Sequence, residues 1–255
     1  MSALPPPPPP PPPLPPSAGP GARPRIRWGI GDAIVAFVVG LVVSLVAAAF
    51  VLDPDNPNDP TTLIVLIAAQ NFAIIGWLAL VARRKGMGSL HRDFGLTLRP
   101  ARGAWFDDIP WFFAGVGLQI AALIPIGLLN SLYGHTAKQD VVKTADAALG
   151  WQIPVIALAI VVLAPVTEEL LFRGALLRSL MRKISPDAAV FVSAVVFGLV
   201  HVLGDPTVGS LVALPAIMLL GVVSGYQAAK TGNLSRSILL HMGFNALSAV
   251  LLFTT

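Results

Sequence analysis

Two adjacent carboxylates, a guanidinium, two imidazoles and a carboxamide are set in otherwise apolar sequence in the second half of this chain. They fall in three short islands: Thr167-Glu168-Glu169-Leu170-Leu171-Phe172-Arg173-Gly174, Phe197-Gly198-Leu199-Val200-His201 and His241-Met242-Gly243-Phe244-Asn245. The flanking runs of Val, Leu, Ala and Ile are long enough to lie in a bilayer. A charged side chain there costs at least about 2.5–3.5 kcal/mol. A protein that only had to sit in a membrane would not carry that load, so the islands read as a polar site built inside a helix bundle. Glutamate and histidine are also the side chains that move protons to and from water.

Helical spacing separates the two glutamates. Glu169 and Arg173 are four residues apart, share a face and can pair, with the acid N-terminal to the base. Glu168 lies about 100° further round the helix and has no partner of its own there. The economical assignment makes Glu169–Arg173 a structural ion pair and Glu168 the free carboxylate that points into a cavity, where it can act as a general base. Phe197 and His201 share a face, as do His241 and Asn245. Equal stretches of chain separate Lys183 from Glu169 and Asp187 from His201. At about 1.5 Å per residue each is roughly 21 Å, which sets the two groups level in an antiparallel helix pair. Lipid exposure would be costly for each polar group, so His201, His241 and Asn245 are expected to face inward and converge with Glu168 on one water-accessible cavity open toward the cytoplasm.

The elements that must position these groups are transmembrane helices. The 255 residues are 55% hydrophobic and only 12% charged, against about 25% charged in soluble domains. Seven spans are expected, near 31–52, 61–82, 109–131, 152–181, 187–203, 208–229 and 235–253, giving an all-α polytopic bundle. The fourth is too long for one perpendicular crossing and must tilt, kink or protrude. Of the 17 Lys and Arg residues, all but Lys138 and Lys143 fall on one side of that arrangement. The asymmetry predicts a multi-pass plasma-membrane protein with a cytoplasmic N-terminus. The net charge of +4 is accordingly a topology signal, and no nucleic-acid partner is expected. Residues 1–24, with an unbroken proline run from Pro5 to Pro13, read as a disordered polyproline tail. A unit of N-terminal spans follows over 25–132, with a basic cytoplasmic loop in which His91, Arg92 and Asp93 read as solvated; His135 reads the same way. Cysteine is absent, which excludes disulfides and thiolate chemistry.

A double Glu with Arg four residues after the second, then Phe-x-x-x-His, then His-x-x-x-Asn, in that order on separate spans, resembles the CAAX protease and bacteriocin-processing family. That family includes the type II CAAX prenyl endopeptidases. The likeness covers about 152–253. It implies an intramembrane endopeptidase acting on a membrane-embedded or lipidated (CAAX-like, prenylated) protein or peptide. Carried over residue by residue, Glu168 and His201 would activate water, and His241 and Asn245 would stabilise the oxyanion. Glu169, Arg173 and Phe197 would be structural. Glu168, His201 and His241 could also hold Zn and leave a fourth position for water, but the His-Glu-x-x-His pattern of zinc proteases is missing. The balance favours glutamate-dependent chemistry with no obligatory metal. The alternatives are a non-proteolytic bacteriocin-immunity or scaffold protein, and a transporter, for which no internal repeat speaks.

Overall fold

The computed structural model describes residues 26–97, 107–133, 147–204 and 208–254. The Pro-rich tail at 1–24, His135, Lys138 and Lys143 lie outside the described residues. The fold is a helical bundle: α1 (Ile30–Val51), α2 (Pro60–Lys85), the short α3 (Leu90–Phe94), α4 (Ile109–Tyr133), α5 (Gln152–Met181), α6 (Pro186–Gly204), α7 (Val208–Thr231) and α8 (Ser235–Thr254). All seven expected spans coincide with helices. Six are long and apolar enough to cross a membrane, and in α4 the stretch Ile109–Ile124 is apolar. Large apolar side chains along the outer face of α1, among them Val38, Leu45 and Phe50, are exposed. A lipid-facing helix requires that pattern.

Local sequence sets the helix ends. The Asp59 carboxylate caps α2 by accepting from the Thr61 and Thr62 amides at 3.3 and 2.8 Å, and Pro60 occupies the first turn, where its missing N–H costs nothing. Those bonds, chiefly the one from the Thr62 amide, hold the Asp59 carboxyl below its usual range. Arg83, Arg84 and Lys85 close the helix, where cations favour the negative end of the dipole.

Polar contacts at the helix ends fix the direction of every span. Lys85 at the end of α2 meets Asp32 at the start of α1, at 2.6 Å. Asp108, just before α4, meets Ser235 and Arg236 at the start of α8, at 2.6 and 2.9 Å. Tyr226 late in α7 meets Asp187 at the start of α6, at 3.0 Å. Arg178 in the last turn of α5 donates to the carbonyl of Gly232 beyond α7, at 2.6 Å. The basic end of the bundle thus gathers the starts of α1, α4, α6 and α8 and the ends of α2, α5 and α7, as an alternating seven-helix path requires.

Asp93 at that same end departs from expectation. His91 and Arg92 are exposed, but Asp93 is only 1% exposed. Its carboxylate accepts from the Trp28 indole at 2.8 Å and from the Met87 and Ser89 amides at 2.9 and 3.3 Å. Arg182 packs 4.2 Å over the Trp28 ring and donates to the Trp28 carbonyl at 2.7 Å. What reads locally as a solvated loop is a clamp that ties the approach to α1 onto the end of α5.

α5 is the central element, packed against α1, α2, α3, α6, α7 and α8, and α4 closes the bundle by running parallel to α8. Two glycines permit that contact. A Cβ on Gly115 would fall on the carbonyl of Leu240, and one on Gly243 on the carbonyl of Phe112. Small residues let membrane helices pack backbone to backbone in this way. Gly115→Ala and Gly243→Ala are each expected to cost about 1–3 kcal/mol, read as a lower melting temperature in detergent. Gly117→Ala, where an added Cβ meets nothing, is the control and should melt at or above the wild-type temperature.

Candidate active site

The three islands meet around α5. Its 30 residues are not uniform: Ala159–Leu163 and Glu169–Leu177 wind as π-helix between α-helical turns. The excess length of the fourth span is therefore taken up partly in wide turns, a form that concentrates at functional sites. The first of these stretches has a sequence cause. The Ala164 amide donates to the Ala159 carbonyl, and the next bond in that register would join residue 165 to the Ile160 carbonyl. Residue 165 is proline and has no N–H. Asn245 of α8 satisfies the orphaned oxygen instead, its Nδ2 donating to Ile160 O at 2.9 Å.

The expected Glu169–Arg173 pair is present, with Oε1 to NH1 at 3.1 Å and both side chains fully buried. It does more than close on itself. The same Glu169 oxygen accepts from Nδ1 of His241 at 3.0 Å. The Arg173 guanidinium lies 4.2 Å over the Phe197 ring, a favourable cation–π contact where water is excluded. Phe197 in turn meets the edges of His201 and His241 at centroid distances of 4.6 and 5.7 Å. The ion pair, the aromatic ring and both imidazoles form one packed unit joining α5, α6 and α8.

Glu168 stands apart from that unit and faces it. Its Oε2 lies 3.7 Å from Nε2 of His201 and 3.6 Å from Nε2 of His241, and it has no hydrogen-bond partner among the described residues. The side chain is 27% exposed. Nδ1 of His201 lies 2.8 Å from the Phe197 carbonyl. Since a carbonyl only accepts, Nδ1 carries the ring proton and Nε2 of the neutral ring presents a lone pair. The second nitrogens of both histidines are thus spoken for, and their free nitrogens aim at one carboxylate oxygen.

Two cavities are lined by the Glu168 side chain. One, of about 370 Å³, is lined by Gln119 of α4 and by Glu168, His201, His241 and Asn245, among others. The other, of about 250 Å³, reaches between α5 and α2 and includes Gln70, Asn71 and Thr167 with Glu168 and His201. All four residues expected to do chemistry therefore share one chamber. Sequence reasoning did not single out Gln119, a lone neutral amide in an apolar span, nor the bond from His241 to Glu169. Among the described residues no group of three or more His, Asp or Glu is arranged as a metal-ligand set.

Removing Arg173 would leave Glu169 a buried carboxylate without its guanidinium counter-charge. Arg173→Ala is expected to lower the unfolding free energy by about 3–5 kcal/mol, measured as thermal stability of the detergent-solubilised protein. A variant that melts with the wild type would show that the pair does not hold α5 in place.

A family model described as "Type II CAAX prenyl endopeptidase Rce1-like" matches residues 150–247. The match runs from the approach to α5 into α8 and contains all three islands, while α1, α2 and α4 lie before it. No curated protein and no solved structure matches the chain. Over residues 150–247, the stretch that brings Glu168, His201, His241 and Asn245 to one chamber, the chain is similar to the type II CAAX prenyl endopeptidases.

Proposed function

We propose that the protein is an intramembrane endopeptidase that hydrolyses peptide bonds with a water activated by Glu168 and His201. One observation carries the reading: an unpartnered carboxylate oxygen faces the free nitrogens of two imidazoles across 3.6 and 3.7 Å. Those separations exceed a direct hydrogen bond, and a water between the groups comes within about 2.6–3.2 Å of its partners.

The two histidines differ in what holds their other nitrogen, and this supports different roles. His201 is held by a neutral carbonyl, so its Nε2 accepts one hydrogen of the water while Glu168 takes the other. His241 is held by the Glu169 carboxylate; in the proposed step it carries a proton on each ring nitrogen and directs its Nε2–H into the chamber. As the water oxygen bonds the scissile carbon, its proton passes to Glu168 and negative charge collects on the carbonyl oxygen. His241 Nε2–H donates to that oxyanion, helped by the Asn245 N–H that Ile160 does not use. When the C–N bond breaks, Glu168 returns the proton to the leaving nitrogen.

A membrane-associated, lipidated or CAAX-like substrate fits this setting. An apolar cavity of about 260 Å³ between α1, α5 and α6 adjoins the α2-side chamber through Phe37, Leu171, Phe172 and Val200 and suits a hydrocarbon chain. The basic end of the bundle faces the cytoplasm by the positive-inside rule, in a plasma membrane, with 152–253 as the catalytic core and 25–132 as its supporting unit. No metal is obligatory in this scheme.

Glu168→Gln keeps the shape and removes the base. It is expected to cut cleavage of a peptide library by about 10²–10⁴-fold with melting temperature and yield close to wild type. Activity above about a tenth of wild type would sink the base assignment, and a wild-type protein that cleaves nothing would favour a binding or scaffold role.

A further inference from the structure

Gln119 stands within α4, before the family-matched segment, and its side chain reaches the chamber lined by Glu168, His201, His241 and Asn245. The residue is only 8% exposed, and its Oε1 is buried with no hydrogen-bond partner. An unpaired buried amide oxygen costs about 1–3 kcal/mol, a penalty that an apolar side chain of similar shape would avoid. Gly115, one turn earlier on the same helix, is pressed against Leu240 and Phe244 of α8, so the side chain four residues on is held toward α8.

Among the described side chains lining this chamber, two oxygens are buried and unpartnered: Glu168 Oε2 and Gln119 Oε1. The first faces the imidazoles. The second has nothing among the described residues to accept from. The Ile160 and Phe197 carbonyls already accept from Asn245 and His201. A polypeptide drawn from bulk water into a membrane-embedded chamber brings backbone N–H groups that must be matched there.

We propose that Gln119 is a substrate-binding residue: its Oε1 accepts the N–H of a peptide unit beside the scissile bond and holds the substrate extended along the α4–α8 wall. The assignment names the ligand of the site proposed above and rests on that reading, but its test does not require cleavage.

The probe is a fluorescein-labelled nonapeptide, selected from a random pool by retention on the full-length Glu168→Gln protein in detergent micelles. Binding is followed by anisotropy. Adding Gln119→Met is expected to weaken affinity about fivefold to tenfold, the size of one hydrogen bond. N-methylation of one peptide nitrogen should weaken binding to the Glu168→Gln protein by the same factor and have no further effect once Gln119→Met is present. Gln119→Met should also melt no lower than its parent, because the free protein loses an unsatisfied group; a merely structural amide would lower the melting temperature. Unchanged affinity in Gln119→Met, losses that add at every methylated position, or a pool from which nothing is retained would each overturn the proposal. A wild-type protein that binds the peptide and releases it uncut would refute hydrolysis, while the methylation cycle would still decide on Gln119.

Discussion

The site depends on keeping a full positive charge out of water. Arg173 is among the largest fully buried side chains in the protein, and a lone guanidinium there would be prohibitive. Glu169 one turn earlier and the face of Phe197 make it tolerable, and each of those partners is also committed to a histidine. Glu169 fixes His241, while the Phe197 carbonyl fixes His201 and the Phe197 ring packs on both imidazoles. The pair is thus a foundation for the imidazoles as well as for the helix. Its geometry requires α5, α6 and α8 to be in register together, so the bundle cannot assemble with one of them displaced and leave the site intact.

Glu168 is left facing a cavity by the same arrangement. Adjacent residues on a helix point in different directions, so committing Glu169 to the dry interior turns Glu168 elsewhere. Two neighbouring carboxylates of identical chemistry acquire opposite environments from their position on the helix alone. Pro165 contributes at a second level. By withholding one amide it frees a carbonyl inside the bundle, and that carbonyl fixes Asn245. A backbone defect in one helix becomes the anchor for a polar side chain of another.

Most of this was legible in the sequence wherever the physics is local. Apolar runs located the seven helices to within a few residues, and the four-residue spacing of Glu169 and Arg173 identified the pair. The cost of ionisable groups in hydrocarbon brought the three islands together. What stayed hidden depends on partners distant in the chain. Asp93 sits in a polar stretch, and only the Trp28 indole and two turned-in amides make it a buried acceptor. Ile160 is an unremarked aliphatic residue whose carbonyl matters, although Pro165 five residues on was a usable clue. Gln119 is neutral and solitary in an apolar helix, so the charge argument that exposed the islands gave no weight to it.

Because Glu168 and His201 border both the α2-side chamber and the α4–α8 chamber, the Glu168 carboxylate stands in a partition with a hollow on either side. A compound that filled only one hollow would leave the same oxygen approachable from the other. Full inhibition therefore asks for a molecule that straddles the partition, with a head in each hollow and a narrow waist beside Glu168. Selectivity against the type II CAAX prenyl endopeptidases that this chain resembles would come from the head that meets α4, since that helix lies outside the matched stretch.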